Sequence, residues 1–277
     1  MINNIYKKYR FLIARRISQI SIMVLYIIAN LYGINILMGN LSSSLVAKTI
    51  PLSDPYAVLQ MFFAGAVISF DILLGAFFIL IFYMIVGGRA FCSWVCPVNI
   101  ITDLANYLRR RFGFNQIQKK QPASRNIRYW VIAISLVISF FMGVAAFELV
   151  SPISMVHRGI IFGLGFGWAA MLVIFLFDLF VLKNGWCGHI CPLGGFYSLV
   201  GRFSLIRVHH NADNCTACMK CKEVCPENQV LHMVTKTSIP VLSGECTNCG
   251  RCVEVCDDNA LNFSIKNLKK ENENEVR

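Results

Sequence analysis

Residues 215–226 read CTACMKCKEVCP, and residues 246–256 read CTNCGRCVEVC, so the same cysteine spacing occurs twice. The pattern C-x2-C-x2-C-x3-C is that of bacterial iron–sulfur ferredoxins. A tight loop presents the first three thiolates to one cubane cluster, while the fourth points to the neighbouring cluster. The expected ligands of one [4Fe–4S] cluster are therefore Cys215, Cys218, Cys221 and Cys256, and those of the other are Cys246, Cys249, Cys252 and Cys225.

Two other chemistries use cysteines in such numbers. Paired C-x2-C motifs bind zinc, and cysteines in even number form disulfides. Zinc sites need only four ligands each and do not require the duplicated C-x2-C-x2-C-x3-C spacing. Disulfides do not persist in a reducing cytoplasm. One departure from the usual pattern is Asp257, which follows Cys256 where proline is usual. The spacing therefore favours two [4Fe–4S] clusters.

The segment around these motifs predicts a small separate domain. Residues 208–265 are fewer than about 70, a size at which a fold rarely holds without a staple such as a bound metal. We expect an α+β, bacterial 2[4Fe–4S] ferredoxin-like domain here, stapled by its clusters. Its histidines, His209, His210 and His232, are expected on the solvated surface. Residues 266–277, rich in Lys, Glu and Asn, are expected to form a disordered tail.

The chain as a whole has a membrane-like composition. Hydrophobic residues make up 56% of the 277 residues and charged residues 15%, against about 25% charged residues in soluble proteins. Disordered, collagen-like and small disulfide-rich classes are excluded. Since about 20 apolar residues span a bilayer, the charge-poor runs predict an all-α membrane domain over 1–207, with four transmembrane helices at about 17–39, 61–86, 129–149 and 160–182.

The distribution of Lys and Arg predicts the orientation. The first sixteen residues contain five, and the loop between the second and third spans contains eight, whereas each of the other two loops contains one. Positive residues favour the cytoplasmic side, so both termini and the ferredoxin domain are expected in the cytoplasm, in a multi-pass protein of the bacterial inner membrane. The net charge of +11 then needs no nucleic-acid partner. The first apolar run is too long for a cleaved signal peptide.

Four further cysteines form two C-x3-C-P motifs, at Cys92/Cys96 and at Cys187/Cys191. Within each motif the two thiols lie one helical turn apart, and each motif follows an inward-going span. A duplicated helix hairpin would bring both motifs together about a pseudo-twofold axis. The four thiols can bind a metal or a further cluster, cycle between dithiol and disulfide, or be inert. His189, inside the second motif, is a candidate ligand or supporting donor.

These residues resemble a known family. Residues 88–97 (GRAFCSWVCP), 102–104 (TDL) and 186–194 (WCGHICPLG), followed by the two ferredoxin motifs, resemble the NapH family of ferredoxin-type membrane proteins associated with periplasmic nitrate reductase. The C-x3-C-P motifs also occur in regulators and in copper-oxidase assembly factors. The resemblance implies a quinol dehydrogenase component that takes electrons from menaquinol or ubiquinol. Its implied partners are a NapG-like periplasmic iron–sulfur protein, a NapC-like membrane cytochrome and nitrate reductase.

Quinol oxidation releases protons, so a quinol site needs titratable acceptors. Ionisable side chains inside a membrane are costly and are functional candidates by default. Asp71, expected near the middle of the second span, and Glu148, at the outer end of the third, are the candidate quinol and proton groups. A packing role for Asp71 is an equal alternative. Asp178 lies near the inner end of the fourth span and is expected at the interface.

Two other functions fit the same motifs. An assembly or maturation factor would use its clusters to deliver electrons to a metal centre or disulfide of a respiratory enzyme. A membrane adaptor would use its clusters mainly to fold the C-terminal domain. The electron-carrier hypothesis also raises a geometrical question. The clusters are expected in the cytoplasm and the implied acceptor in the periplasm, and the spans contain no recognisable histidine pair for a haem.

Overall fold

The computed structural model describes residues 2–32, 37–46, 49–113, 124–162 and 167–265. Its contacts divide the chain into two compact units. The first, here called the helical unit, comprises Arg15–Phe82 and Phe91–Phe196. The second, the ferredoxin unit, comprises the start of the chain up to Ala14, Tyr83–Ala90 and the chain from Tyr197 onwards. The predicted boundary between residues 207 and 208 falls inside a strand, and the predicted tail, 266–277, lies outside the described residues.

Helices dominate the chain between residues 2 and 200. Their bounds are α1 Ile2–Tyr32, α2 Pro55–Phe63, α3 Phe70–Val86, α4 Ala90–Trp94, α5 Val98–Arg111, α6 Ile127–Met142, α7 Ala146–Val150, α8 Pro152–Phe162, α9 Gly167–Leu176 and α10 Pro192–Val200. Two π-helical turns, Phe177–Val181 and Trp186–Ile190, lie between α9 and α10. Such turns are rare, and they occur frequently at functional sites.

The helices at the last three predicted spans are shorter than those spans. Within the described residues, one helical segment, Tyr9–Asn30, is both long and apolar enough to cross a membrane, while Phe70–Val86, Ile127–Met142 and Gly167–Val181 are apolar but have 17 residues or fewer. The second predicted span, 61–86, is interrupted because α2 ends at Phe63 and Gly65 adopts a left-handed φ of +72°. The absence of charge along a run does not ensure that its helix is continuous.

The expectation of an all-α domain before residue 207 is wrong for residues 37–53. This segment forms a three-stranded antiparallel sheet of β1 (Leu37–Gly39), β2 (Ser43–Val46) and β3 (Ile50–Ser53). The turn between β1 and β2 is closed by Asn40, whose Oδ1 accepts hydrogen bonds from the backbone N–H groups of Ser42 and Ser43 at 2.9 and 2.8 Å. Asparagine and serine favour such turns over a continuous helix.

The ferredoxin unit confirms the predicted α+β, ferredoxin-like architecture. Strands β4 (Ile206–His210) and β5 (Leu261–Ile265) pair antiparallel. Between them the chain forms two short helices, α11 (Lys220–Val224) and α12 (Arg251–Glu254). The core between sheet and helices consists of small and medium apolar side chains together with the cysteines, including Val208, Val230, Leu231, Met233, Val234, Val241, Leu261, Cys221, Cys225 and Cys252.

Candidate metal centres

The first cavity of the ferredoxin unit is lined by four cysteines. Cys246, Cys249 and Cys252 come from the second ferredoxin motif, and Cys225 is the fourth cysteine of the first motif. This is the quartet that the spacing groups together. The wall also contains Glu227 and the apolar side chains of the core.

The second cavity is lined by the other quartet, Cys215, Cys218, Cys221 and Cys256. Here the cysteine contributed by the other motif is Cys256, which lines this cavity although no proline follows it. Cys218 is exposed and Cys221 is buried. The second cavity therefore has one solvent-facing ligand, whereas Cys249, Cys252 and Cys225 of the first cavity are all buried.

The two cysteine loops share one backbone pattern. Left-handed residues occupy the second and fourth positions after the first cysteine of each motif: Ala217 (φ 59°) and Met219 (φ 59°) in one, Asn248 (φ 47°) and Gly250 (φ 75°) in the other. Turns of this kind present successive backbone N–H groups as concave anion sites, including at iron–sulfur centres. At Gly250 a side chain is also excluded sterically, because a Cβ would lie 2.4 Å from the ring of Phe11.

Burial controls the acidity of the thiols. It raises the pKa of Cys246 to about 11, while the positive charges of Arg207 and Arg89 act in the opposite direction. Burial, and then the neighbouring thiols of its quartet, raise the pKa of Cys252 well above its ordinary value. Metal binds the thiolate form of cysteine. Burial disfavours that charged form, and a cationic iron core would stabilise it.

Arg207 is built into the protein beside the first cavity. The side chain is buried, and its guanidinium donates to the carbonyl oxygens of Val241 (2.6 Å), Arg202 (2.6 Å) and Ser204 (2.9 Å). These bonds hold a positive charge close enough to Cys246 to lower its pKa. A fixed cation next to a cluster site favours the more negative, reduced state of an iron–sulfur cluster.

His210 is not a surface residue, contrary to the sequence prediction. It lies on β4, is fully buried and lines the second cavity. Its Nδ1 lies 2.8 Å from the carbonyl oxygen of Thr237, whereas Nε2 is buried and has no hydrogen-bond partner among the described residues. No signal in the sequence distinguishes it from its neighbour His209, because the burial depends on the pairing of β4 with β5.

Both cavities fit [4Fe–4S] clusters. Each offers four cysteine thiols, the ligand set of such a cluster, within a wall that is otherwise mainly apolar. The buried Nε2 of His210 is a polar atom in the wall of the second cavity and has no hydrogen-bond partner among the described residues. Within the described residues, no group of three or more His, Cys, Asp or Glu side chains is arranged to hold a single metal ion.

The C-x3-C-P motifs lie in the helical unit. Cys92 lies on α4, and Cys96 lies two residues after the end of that helix. Cys187 lies on the second π-helical turn, and Cys191 directly follows it. Cys96 and Cys191 are buried, and Cys92 and Cys187 are partly buried. Burial raises the pKa of Cys96, and the thiols of Cys92 and Cys191 add to that rise. Cys191 of the second motif therefore lies within electrostatic range of Cys96 of the first.

The two candidate proton groups lie in different settings. Asp71 is exposed and lies in the first turn of α3, not near the middle of a helix, because the chain is not helical between residues 64 and 69. A carboxylate at a helix N-terminus is stabilised by the helix dipole. Glu148 is partly buried, and its Oε2 accepts hydrogen bonds from Ser42 (2.7 Å) and Ser154 (2.9 Å). Among the described residues, no hydrogen bond links the two carboxylates.

The fold and the cysteine quartets define an iron–sulfur protein of the ferredoxin type, whose chemistry is electron transfer. Comparison with protein families agrees. A model of a 4Fe-4S dicluster domain matches residues 207–257, and a model of a 4Fe-4S binding domain matches twice, at residues 68–115 and 164–209. The double match covers the two C-x3-C-P motifs and supports the duplication inferred from the sequence.

Curated relatives are similar over most of the chain. The methylamine utilization ferredoxin-type protein MauN of Methylorubrum extorquens is 44% identical over 234 residues, which cover 83% of this chain and 80% of that protein. The ferredoxin-type protein NapH of Haemophilus influenzae is 43% identical over 224 residues (80% and 77%), and NapH of Escherichia coli is 42% identical over 227 residues (82% and 78%). The chain belongs to this family of ferredoxin-type proteins, which includes NapH and MauN. No solved structure matches it.

Proposed function

We propose that the chain is the membrane-bound quinol dehydrogenase component of a respiratory chain and passes electrons from menaquinol or ubiquinol towards periplasmic nitrate reductase. The observation that carries this proposal is the pair of cavities, each lined by one cysteine quartet. Bound [4Fe–4S] clusters would supply one-electron redox chemistry there. The ligands would be Cys215, Cys218, Cys221 and Cys256 in one cavity, and Cys246, Cys249, Cys252 and Cys225 in the other.

Exposed apolar side chains support a membrane location for the helical unit. Soluble monomers rarely expose large contiguous apolar surfaces, yet four helices of this unit expose large aliphatic and aromatic residues along their length. These include Ile17, Ile20 and Val24 on α1, Leu73, Phe77 and Phe78 on α3, Ile134, Val137 and Phe141 on α6, and Leu172, Val173 and Leu176 on α9. We infer four crossings in the inner membrane, with both termini and the ferredoxin unit in the cytoplasm as the positive loops predict.

Oxidation of a quinol to a quinone releases two electrons and two protons. The electrons leave one at a time, and the protons need acceptors close to the quinol. Glu148 is held by two serine hydroxyls and is the better positioned candidate, since a fixed carboxylate can accept a proton without reorganising. Asp71 remains the second candidate, at the start of α3.

The acceptor is inferred from the relatives. NapH-named relatives favour a NapG-like iron–sulfur protein, a NapC-like cytochrome and nitrate reductase as partners. MauN-named relatives are equally similar, which favours a second candidate function in amine utilization. In that function the chain would deliver electrons during maturation of a metal centre or disulfide in the recipient enzyme.

Quinol-driven reduction of the clusters tests the proposal. The anaerobic full-length protein in lipid nanodiscs is mixed with a menaquinol analogue, and cluster reduction is followed by electron paramagnetic resonance. We expect reduction, which is slower in the Glu148→Gln and Asp71→Asn variants. Asp213→Asn, an exposed acid of the ferredoxin unit, is the control and should leave the rate unchanged. Clusters that stay oxidised with the analogue, although dithionite reduces them, would contradict the quinol role and favour the maturation role.

A further inference from the structure

A group of polar side chains in the helical unit brings together Glu148 and His157. Four elements contribute to it: α1, the turn between β1 and β2, α7 and α8. All of them lie outside the residues that the 4Fe-4S family models match. The group is therefore separate from the cysteine motifs.

Glu148, on α7, is held from two sides. Its Oε2 accepts hydrogen bonds from the hydroxyls of Ser42, in the turn after β1, and Ser154, on α8. Arg158, one helical turn after Ser154, donates to the backbone carbonyl oxygen of Glu148 at 3.5 Å. The other carboxylate oxygen, Oε1, accepts no hydrogen bond from the described residues. One oxygen of the carboxylate is thus fixed, while the other is open to a further donor.

His157 belongs to the same group. It lies three residues after Ser154 on α8, so the two side chains share one face of that helix. The side chain is only 3% exposed, and its Nε2 is buried without a hydrogen-bond partner among the described residues. Burial, and then the charge of Arg158, lower the pKa of His157, so the ring is neutral at neutral pH. An unpaired buried nitrogen is costly, and a catalytic or redox role is one reason for a protein to retain it.

Tyr26 completes the group from α1. The ring centroids of Tyr26 and His157 lie 5.0 Å apart, with an interplanar angle of 86°, in an edge-to-face contact. The hydroxyl of Tyr26 donates to the carbonyl oxygen of Asn40 at 3.2 Å, and Asn40 closes the turn that carries Ser42. The contacts therefore form a closed ring from α1 through the turn, Glu148 and α8 back to α1. A ring of this kind holds its side chains in fixed positions before a ligand binds.

The surroundings of the group favour a ligand that is largely apolar. Leu149 and Val150, which follow Glu148 on α7, are 55% and 61% exposed. Sites for small molecules are mainly apolar, with a few polar groups that fix the orientation of the ligand. A hydroxyl group both donates and accepts, so it can donate to a carboxylate and can pair with Nε2 of a neutral histidine in either tautomer. A quinol headgroup, a flat apolar ring with two hydroxyls, has the required features.

We propose that Tyr26, Glu148 and His157 form the binding site for the quinol headgroup, in which Nε2 of His157 is the hydrogen-bond partner of a ring hydroxyl. The carboxylate of Glu148 lies beside it as a second polar group. The proposal rests on the proposed function and adds to it the place of binding and a ligand-binding histidine. Recognition of the ring can nevertheless be measured without any electron transfer.

Binding of a quinol analogue tests the proposal. A heptylhydroxyquinoline N-oxide is titrated into the full-length protein in lipid nanodiscs, and the quenching of its fluorescence gives Kd. We expect His157→Leu to weaken binding by about fivefold to a hundredfold, the range for removal of one buried hydrogen-bond partner. His157→Gln keeps a polar group at this position and should restore most of the affinity. Val156→Ala, at the neighbouring partly buried position of α8, is the matched control and should bind as the unchanged protein does.

Three results of the titration would overturn the proposal. The first is an absence of binding to the unchanged protein. The second is equal affinity in His157→Leu and the unchanged protein, which would show that Nε2 does not contact the ring. The third is a His157→Gln variant that binds as weakly as His157→Leu, because polarity at this position would then be without effect.

A footprint on the unchanged protein needs no variant and so does not depend on a variant's ability to fold. The analogue should slow amide hydrogen exchange in α7, α8 and the turn between β1 and β2, and should leave α5 unaffected. Slowing confined to other elements would overturn the proposal. Binding that depends on His157 without quinol-driven reduction of the clusters would contradict only the proposed function. Reduction of the clusters without binding at this site would contradict only the present proposal.

Discussion

The guanidinium of Arg89 lies 2.7 Å from the carboxylate of Glu227, and the two side chains are only 1% and 2% exposed. The same Nη1 atom donates to the carbonyl oxygen of Glu245 at 3.1 Å. Glu227 lines the first cavity and follows Cys225 by two residues. The segment that precedes the first C-x3-C-P motif is thereby built into the wall of a cluster site.

We expect Arg89→Leu to destabilise the ferredoxin unit by about 3–5 kcal/mol, because it leaves the Glu227 carboxylate buried without this cation. The double variant Arg89→Leu/Glu227→Leu should lose much less, since no charge is then left behind. Hydrogen–deuterium exchange of the β4 and β5 amides, read by mass spectrometry, measures the change in opening free energy. If the single and double variants behave alike, the ion pair does not stabilise the unit.

The exposed pair of Lys220 and Asp257 is the control for that experiment. Its N–O distance of 2.9 Å is similar, but both side chains are largely in solvent. Exposed ion pairs are screened by water and contribute little. Lys220→Ala should therefore leave the exchange of the same amides unchanged.

A second prediction concerns Asn248, a left-handed residue in the loop that presents Cys246 and Cys249. Its Nδ2 donates to the carbonyl oxygens of Val86 (2.7 Å) and Ile206 (2.9 Å). Asn248→Gly keeps the backbone conformation accessible but removes both bonds. At about 0.5–1.5 kcal/mol per bond, iron should be lost to a chelator several-fold to a hundredfold faster.

Ala217→Gly is the matched control for Asn248→Gly. Ala217 occupies the same position of the first motif and has a similar φ of 59°, but its methyl group makes no hydrogen bond. The rate of iron loss should stay within a factor of about two, since glycine accepts this conformation without strain. Equal acceleration in both variants would show that backbone freedom, and not the two hydrogen bonds, accounts for the effect.

A third prediction concerns the electrostatics of the second cavity. A carbonyl oxygen cannot donate, so the contact with Thr237 requires a proton on Nδ1 of His210. The buried Nε2 has no hydrogen-bond partner among the described residues, and the imidazole is a polar group in the wall of the second cavity. His210→Phe replaces this polar ring by an apolar one, which disfavours the more negative, reduced state of the cluster. The reduction potential of one cluster should therefore fall by tens of millivolts, where about 59 mV is a tenfold change for one electron.

A redox titration followed by electron paramagnetic resonance checks this prediction. The signal of the other cluster, in the first cavity, serves as an internal reference, and its potential should not change. His209→Phe, at the neighbouring partly buried position of β4, is the matched variant and should leave both potentials unchanged. A potential that rises or stays constant in His210→Phe would show that the imidazole does not stabilise the reduced cluster.

Local spacing predicted the cysteine sites, whereas tertiary packing determined what surrounds them. The ferredoxin loops are short and self-contained, so the grouping of Cys225 with the second motif and of Cys256 with the first follows from sequence. The burial of His210 depends on strand pairing with residues some fifty positions away. The Arg89–Glu227 pair joins positions 138 apart. Neither contact has a local signal that could be recognised in one sequence.

Helix continuity was the weakest part of the sequence prediction. Apolar composition indicates what kind of environment a segment occupies, but not where its hydrogen-bonding ladder breaks. Gly65 and Gly143, with φ of +72° and +65°, interrupt or end helices inside the predicted spans. The three-stranded sheet at 37–53 likewise lies in a stretch that is poor in charge and rich in serine.

The last prediction is that the ferredoxin unit depends on its clusters, whereas the helical unit does not. The core of the ferredoxin unit includes the cysteines themselves, so removal of iron leaves two cysteine-lined cavities within a small core. Metal binding supplies folding free energy in small domains of this kind. After oxidative removal of iron with a chelator, residues 206–265 should exchange amide hydrogen rapidly, while α3, α6 and α9 keep their protection.

Cys218→Ser, which removes one exposed ligand, should expose mainly the half of the unit around the second cavity. Persistent protection of β4 and β5 in the iron-free protein would show that the apolar core suffices without metal.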